Sequence, residues 1–378
     1  MRLRLIAAAA FLAATAPATL CAQGNLSTLG FGYPTSQLST RALGTGGATG
    51  EMDPLSATNP AALLTLGGSV LYFQAEPEYR TLHLTTGNER TTVARYPLVT
   101  AGIPIGQTLM LGLNFSNLLD RSFETHTRST ALVAGNALPV TNSFVSNGAI
   151  ADIRVALSYQ AAPWLKVGGA AHAITGDNRL TFTEAFDDST RFAKLSDTAT
   201  VAYVGSAYSA GFEAIAGGQF SIAGSYKRGG PMSLRRNDST VARAHVPDKL
   251  ALSVAYLGIR GSSIAVRTAK DNWSNMKGLA TNPLRISDSW DTSVGADILG
   301  PRLGDRTVQL RAGYRMRTLP FGLPTTDVSE KSVTVGAGTF LGRGHAALDM
   351  ALMRATRSTN TTLSESAWTL SVGITVRP

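Results

Sequence analysis

Four basic residues, Arg154, Lys166, Arg267 and Arg311, are the first candidates for chemistry in this sequence. The alternation of the stretches around them turns each toward the same, more polar face. A guanidinium or ammonium so placed holds a carboxylate headgroup through charge-assisted hydrogen bonds. The same positions also suit ion pairs across a confined polar interior, with Glu51, Asp53, Asp152, Asp297 and Asp349 as partners, because charges removed from water need counter-charges. Both readings are open at this level.

Other chemistries have weaker signatures. Gly44, Gly46, Gly47 and Gly50 form a glycine-rich run, but no strand precedes it in a βαβ unit, so a dinucleotide or phosphate loop lacks its context. Glycine also lets a chain fold compactly in a crowded space, and that reading is preferred. His83, His126, His172, His245 and His345 show no metal-ligand spacing, and no metal or cofactor is expected. No Gly-x-Ser-x-Gly elbow occurs, and the chain is read as a non-enzyme; a Ser-His-acid set gathered across space is invisible to a linear reading.

The elements that must position these residues begin after a targeting segment. Arg2 and Arg4 precede an apolar run from Leu5 to Ala14, and a cut after Ala22 gives residues 1–22 as a signal peptide. Lipidation at Cys21 fits poorly beside the bulky Leu20. Removing that segment takes away the one cysteine and lowers the net charge from +9 to +7. The remaining basic residues form no tract, so nucleic acid is not an expected partner. Charged residues make up only 16% of the chain, yet no apolar run approaches the roughly 18 residues of a membrane helix. Low polarity spread evenly along a chain suits strands with one face in lipid and one in a lumen.

From residue 69 onward such strands are predicted at 69–79, 91–103, 109–116, 149–160, 165–175, 198–214, 220–227, 250–256, 263–268, 290–299, 307–315, 331–340, 346–353 and 367–376. In the cleanest, Ala151, Ile153, Val155, Leu157 and Tyr159 oppose Asp152, Arg154, Ala156, Ser158 and Gln160. Registers are least defined in the fifth and sixth strands. Short turns alternate with long polar loops, including 176–197 and 228–246. Tyr159, Trp164 and Tyr256 lie near the short turns, and Tyr226, Trp290, Tyr314 and Trp368 near the long loops. The reading is all-β: an antiparallel transmembrane barrel of about 14 strands in the bacterial outer membrane, spanning 68–378, with both termini on the periplasmic side. Residues 23–67 fit no membrane strand and are read as a plug in its lumen. Within them, Asp53 and Asn59 are predicted N-caps for short helical turns at Pro54–Ala57 and Pro60–Leu64.

Arg41-Ala42-Leu43-Gly44, Gly46-Gly47-Ala48 and Asp53, closed by Asn59-Pro60-Ala61 before the first strand, resemble the N-terminal hatch of the FadL/TodX family of hydrophobic-compound transporters. Pro247-Asp248-Lys249 with Trp273, and the stretch from Trp290 to Met353, look similar too. The resemblance implies passive uptake of long-chain fatty acids or other small hydrophobic molecules, gated by the hatch residues Arg41, Gly44, Gly46, Gly47, Asp53, Asn59, Pro60 and Ala61. It also implies a monomer working among bilayer lipid and lipopolysaccharide, inserted by the barrel-assembly machinery. The alternative is a PorV-like scaffold or secretion-system partner with the same hatch and no transport of its own. The chain departs from the family pattern at its end, Val376-Arg377-Pro378, where a terminal aromatic is usual.

Overall fold

A computed structural model describes residues 26–84, 87–279, 284–304, 306–323, 326–359 and 363–378. The expected signal peptide lies outside the described residues. The strands are β1 Tyr33–Pro34, β2 Val70–Leu84, β3 Gly87–Ile105, β4 Leu109–Asp120, β5 Phe123–Val133, β6 Asn136–Ala162, β7 Leu165–Phe186, β8 Leu195–Ala216 and β9 Phe220–Arg236. They continue as β10 Ser239–His245, β11 Asp248–Ile259, β12 Ser262–Asn272, β13 Arg285–Ile286, β14 Ser289–Leu303, β15 Arg306–Leu323, β16 Thr326–Leu341, β17 Ala346–Ser358 and β18 Ser364–Val376. A short helix α1 covers Thr40–Gly44, and a 3-10 helix covers Pro60–Leu66.

Fourteen of these strands form a closed antiparallel barrel, each wall strand pairing with the next. Closure comes from β18 returning to β2, from Ser364 opposite His83 to Val376 opposite Leu71. It leaves the wall without a free edge, which is what backbone in lipid requires. The wall strands are those the alternation predicted. β7 and β8, whose registers the sequence defined least, pair without interruption from Leu165–Ala214 to Glu184–Leu195.

Several predicted loops are instead continuations of strands. β6 has 27 residues and β7 has 22, about two to three times what a crossing needs. Beyond the bilayer both faces of a strand meet water, so the apolar–polar alternation stops although the pairing continues. β5 and β6 close a hairpin through Ala134 and Gly135, both at positive φ, and β9 and β10 do so through Asn237 and Asp238.

The barrel is apolar outside and polar inside. On β4, Leu113 is 52% exposed while its neighbour Asn114 is fully buried. Leu111, Val155, Leu157, Val294, Leu310 and Val335 share the outer face, and Asp152, Arg154, Arg267, Arg311 and Arg315 share the lumen. Tyr159, Trp164, Tyr256, Tyr226, Trp290, Tyr314 and Trp368 are all exposed. No helix among the described residues is long and apolar enough to cross a membrane.

Candidate functional site

The lumen is occupied by the chain's own N-terminal segment. At the long-loop end, the Ser27 backbone N–H and hydroxyl donate to Glu365 Oε2 at 3.2 and 3.3 Å. The segment then descends; α1 leans on the β15–β18 wall, and the 3-10 helix leans on β3, β4, β6, β7 and β8 before leading into β2. Ser39 caps α1 by accepting from the Ala42 N–H and donates to Asp53 Oδ2 at 2.5 Å. Asp53 thus serves the two hydroxyls of Ser39 and Ser56 rather than an arginine, and Pro54–Ala57 forms turns and bends instead of the predicted helical turn. Asn59 caps the 3-10 helix as predicted, its side chain accepting from the Ala61 N–H at 3.0 Å, with Pro60 in the first turn. The Asn59 amide also donates to the carbonyls of Glu51 and Phe212, both at 2.9 Å. The Ala61 carbonyl accepts from Ser158 on the wall.

Glycines fit this segment to the wall from both sides. Gly46 and Gly47 take φ of 66° and 95°, which lets the chain reverse after α1. Across from them, a Cβ on Gly313 of β15 would overlap the backbone of Thr45 and Gly46, and one on Gly336 would lie 3.0 Å from the Gly44 Cα. A Cβ on Gly168 would lie 2.6 Å from the Pro60–Ala61 backbone. Backbone meets backbone here because the wall presents no side chain.

The four candidate cations meet different partners. Arg267 binds Glu51 of the N-terminal segment at 3.1 Å and Asp291 at 3.0 Å. Arg311 binds Asp297 at 3.0 Å and Asp349 at 2.6 Å. Lys166 reaches Glu213 at 3.2 Å and the Thr65 hydroxyl at 2.8 Å. Arg154, fully buried, donates to neutral acceptors: Asn114 Oδ1 at 2.8 Å and the carbonyls of Thr58 and Ser56 at 3.1 and 3.5 Å. It therefore holds the descending segment rather than an acid. Arg41 remains 44% exposed, 3.9 Å from Asp297.

The densest site was not singled out from sequence. The Tyr33 ring lies among the guanidiniums of Arg80, Arg95, Arg317 and Arg357, at 4.6 to 5.5 Å from its centroid. Its hydroxyl donates to Glu330 Oε2 at 3.0 Å and accepts from Arg357 and Arg317. Burial pushes the phenol above its ordinary pKa, so it keeps its proton. Glu78, Glu330 and Glu365 neutralise Arg357, and Glu78 with Asp120 neutralises Arg95. The parity that points Arg311 and Arg315 inward reaches Arg317 two residues later, and was the available signal.

A Ser-His-acid line also assembles across strands. Asp152 Oδ1 lies 2.8 Å from His172 Nδ1, and His172 Nε2 lies 2.8 Å from Ser209 Oγ. None of the three lines the cavity at the short-turn end or the smaller one beside Tyr33. Asp152 also faces Lys227 at 3.6 Å and accepts from Gln37 of the N-terminal segment at 3.1 Å. The line is a tie between wall and segment.

A packed apolar cluster and a cavity flank this filling. At the long-loop end, Phe31 packs 4.6 Å from Phe321 within an apolar cluster that includes Leu119, Ile174, Trp273 and Met276, with Arg121 stacked 4.4 Å over Phe31. At the short-turn end a cavity of about 270 Å³ opens between the segment and β14–β18.

No protein-family model and no curated protein matches the sequence. Solved structures do match it. A FadL homologue of Pseudomonas aeruginosa aligns over 92% of this chain and 99% of its own at 12% identity, with a TM-score of 0.61. The Ralstonia pickettii toluene transporter TbuX gives 14% identity, 90% and 98% coverage and a TM-score of 0.59. The P. putida toluene transporter TodX gives 13%, 94%, 99% and 0.57. A closed barrel with an apolar outer face and these structural neighbours is an outer-membrane protein. At such low identities the likeness resides in the backbone arrangement, and the chain has the fold of the FadL- and TodX-type outer-membrane barrels.

Proposed function

We propose that the protein is a FadL/TodX-type passive channel for small hydrophobic molecules, long-chain fatty acids among the candidate substrates. In this reading residues 23–67 are a hatch, and residues 68–378 are the barrel it closes. The observation that carries the proposal is the course of the N-terminal segment. It runs from an apolar cluster at the outer end, where lipophilic solutes would gather, to an open cavity at the periplasmic end. Hydrogen bonds, ion pairs and apolar packing tie it to the wall, so a solute passes only when the segment shifts. Arg41, Gly44, Gly46, Gly47, Asp53, Asn59, Pro60 and Ala61 would then set the closed position, Arg154, Lys166 and Arg267 would hold it, and Arg311 would brace the wall beside it.

A cross-link tests this directly. Thr40 Oγ1 lies 2.8 Å from Ser371 Oγ, joining α1 to β18. With both residues changed to cysteine and oxidised, proteoliposomes should lose uptake of toluene and oleate, and reduction should restore it. Unchanged uptake under oxidation would reject hatch gating. The packed, charged middle of the lumen favours a second reading, a scaffold without transport, which requires no uptake in either redox state.

A further inference from the structure

The cavity at the short-turn end has an unbalanced chemistry. Arg311 at its wall is already committed to Asp297 and Asp349. Arg41 has only Asp297, at 3.9 Å, and that same carboxylate oxygen is 3.0 Å from Arg311. Arg377, also lining the cavity, has no ion pair among the described residues, and its guanidinium lies 5.5 Å from the Phe340 ring centroid. Three cations thus stand against the side-chain carboxylates of Asp297 and Asp349, leaving one guanidinium without a side-chain counter-charge at the cavity. The remaining lining includes Leu55, Leu66, Leu299 and Phe340. An apolar wall beside a single uncompensated charge suits a ligand with one negative charge and a hydrocarbon body.

We propose that this cavity binds a small organic monocarboxylate, its carboxylate between Arg41 and Arg377 and its body against Leu55, Leu66 and Phe340. Arg41 belongs to α1 and Leu66 to the 3-10 helix, whereas Arg377 and Phe340 belong to the barrel. A bound carboxylate therefore bridges the N-terminal segment to the wall. On the uptake reading it marks a station on the periplasmic side; the binding itself is independent of that reading.

The test uses the folded full-length mature chain in detergent, with benzoate and hexanoate as probes and benzyl alcohol, hexan-1-ol and sulfate as comparisons, read by calorimetry or ligand-observed NMR. The carboxylates should bind about tenfold more tightly than the alcohols or sulfate, as expected for a charge-assisted contact added to an apolar one. The double variant Arg41→Gln/Arg377→Gln should lose that preference. Arg41→Lys/Arg377→Lys should keep most of it, and Arg285→Gln, at the long-loop end, should keep all of it. Equal binding of alcohols or sulfate, or carboxylate binding unchanged in the double glutamine variant, would overturn the proposal. If the glutamine variant fails to fold, Phe340→Ala replaces it: hexanoate binding must then weaken, and no change overturns the site. Failure here leaves the disulfide result standing, and failure of uptake leaves this binding measurement standing.

Discussion

Arg357 shows what a single residue does in this lumen. Its guanidinium contacts Glu78, Glu330 and Glu365 at 2.5 to 2.9 Å and lies beside the Tyr33 ring. Each charge has left water, so each depends on the others for its stabilisation. Replacing Arg357 with Ala leaves Glu365, in a buried site, without a cation among the described residues. It also takes one counter-charge from Glu78 and Glu330, which keep Arg80, Arg95 and Arg317. The expected loss is about 3–5 kcal/mol, read by urea titration of the barrel folded into liposomes. Part of this was legible. The parity of Gln309, Arg311, Gly313 and Arg315 already points an inward row, and Arg317 continues it. That Arg317 meets Glu330 at 2.6 Å is set by the register of β15 on β16, which no single strand encodes.

At the level of elements, the wall and the N-terminal segment are complementary through absent side chains. Gly313 and Gly336 on the wall receive the turn from Gly44 to Gly46. Gly313→Val leaves β15 able to pair, since valine favours strands, but places its side chain in the space Thr45 and Gly46 occupy. The variant should fold as a heat-modifiable barrel while its single-channel conductance rises several-fold, approaching that of a chain lacking residues 23–64. Conductance unchanged in the folded variant would mean that the segment adapts without leaving. The sequence showed glycines in strands and glycines before Asn59. Only the assembled molecule showed that they face each other.

At the scale of the whole molecule, inside-out polarity governs stability. Leu113 lies midway along β4 on the lipid face, whereas Asn114 beside it accepts a hydrogen bond from Arg154 in the lumen. Leu113→Arg places a charge at the membrane midplane, and should cost about 2–4 kcal/mol in folding into bilayers, measured by urea titration. Leu132→Arg, on the β5–β6 hairpin beyond the membrane, should cost less than about 0.5 kcal/mol because that position is 78% exposed to water. Equal costs at the two positions would contradict the assigned membrane belt.

The wall was in the sequence because alternation with period two is a local property, and lipid on one side with a polar lumen on the other stamps it onto every crossing. The Asn59-Pro60-Ala61 turn was readable for the same reason, since a cap and a proline act within a few residues. The partners were not readable. Glu51 with Arg267, Tyr33 with Arg357 and Gly46 with Gly313 join residues more than two hundred positions apart. Their meeting depends on closure of β18 against β2, which fixes the lumen's width, and on the path the N-terminal segment takes through it. Closure is a property of the complete ring, so tertiary structure alone decided which inward charges became locks and which, like Arg41, stayed half free.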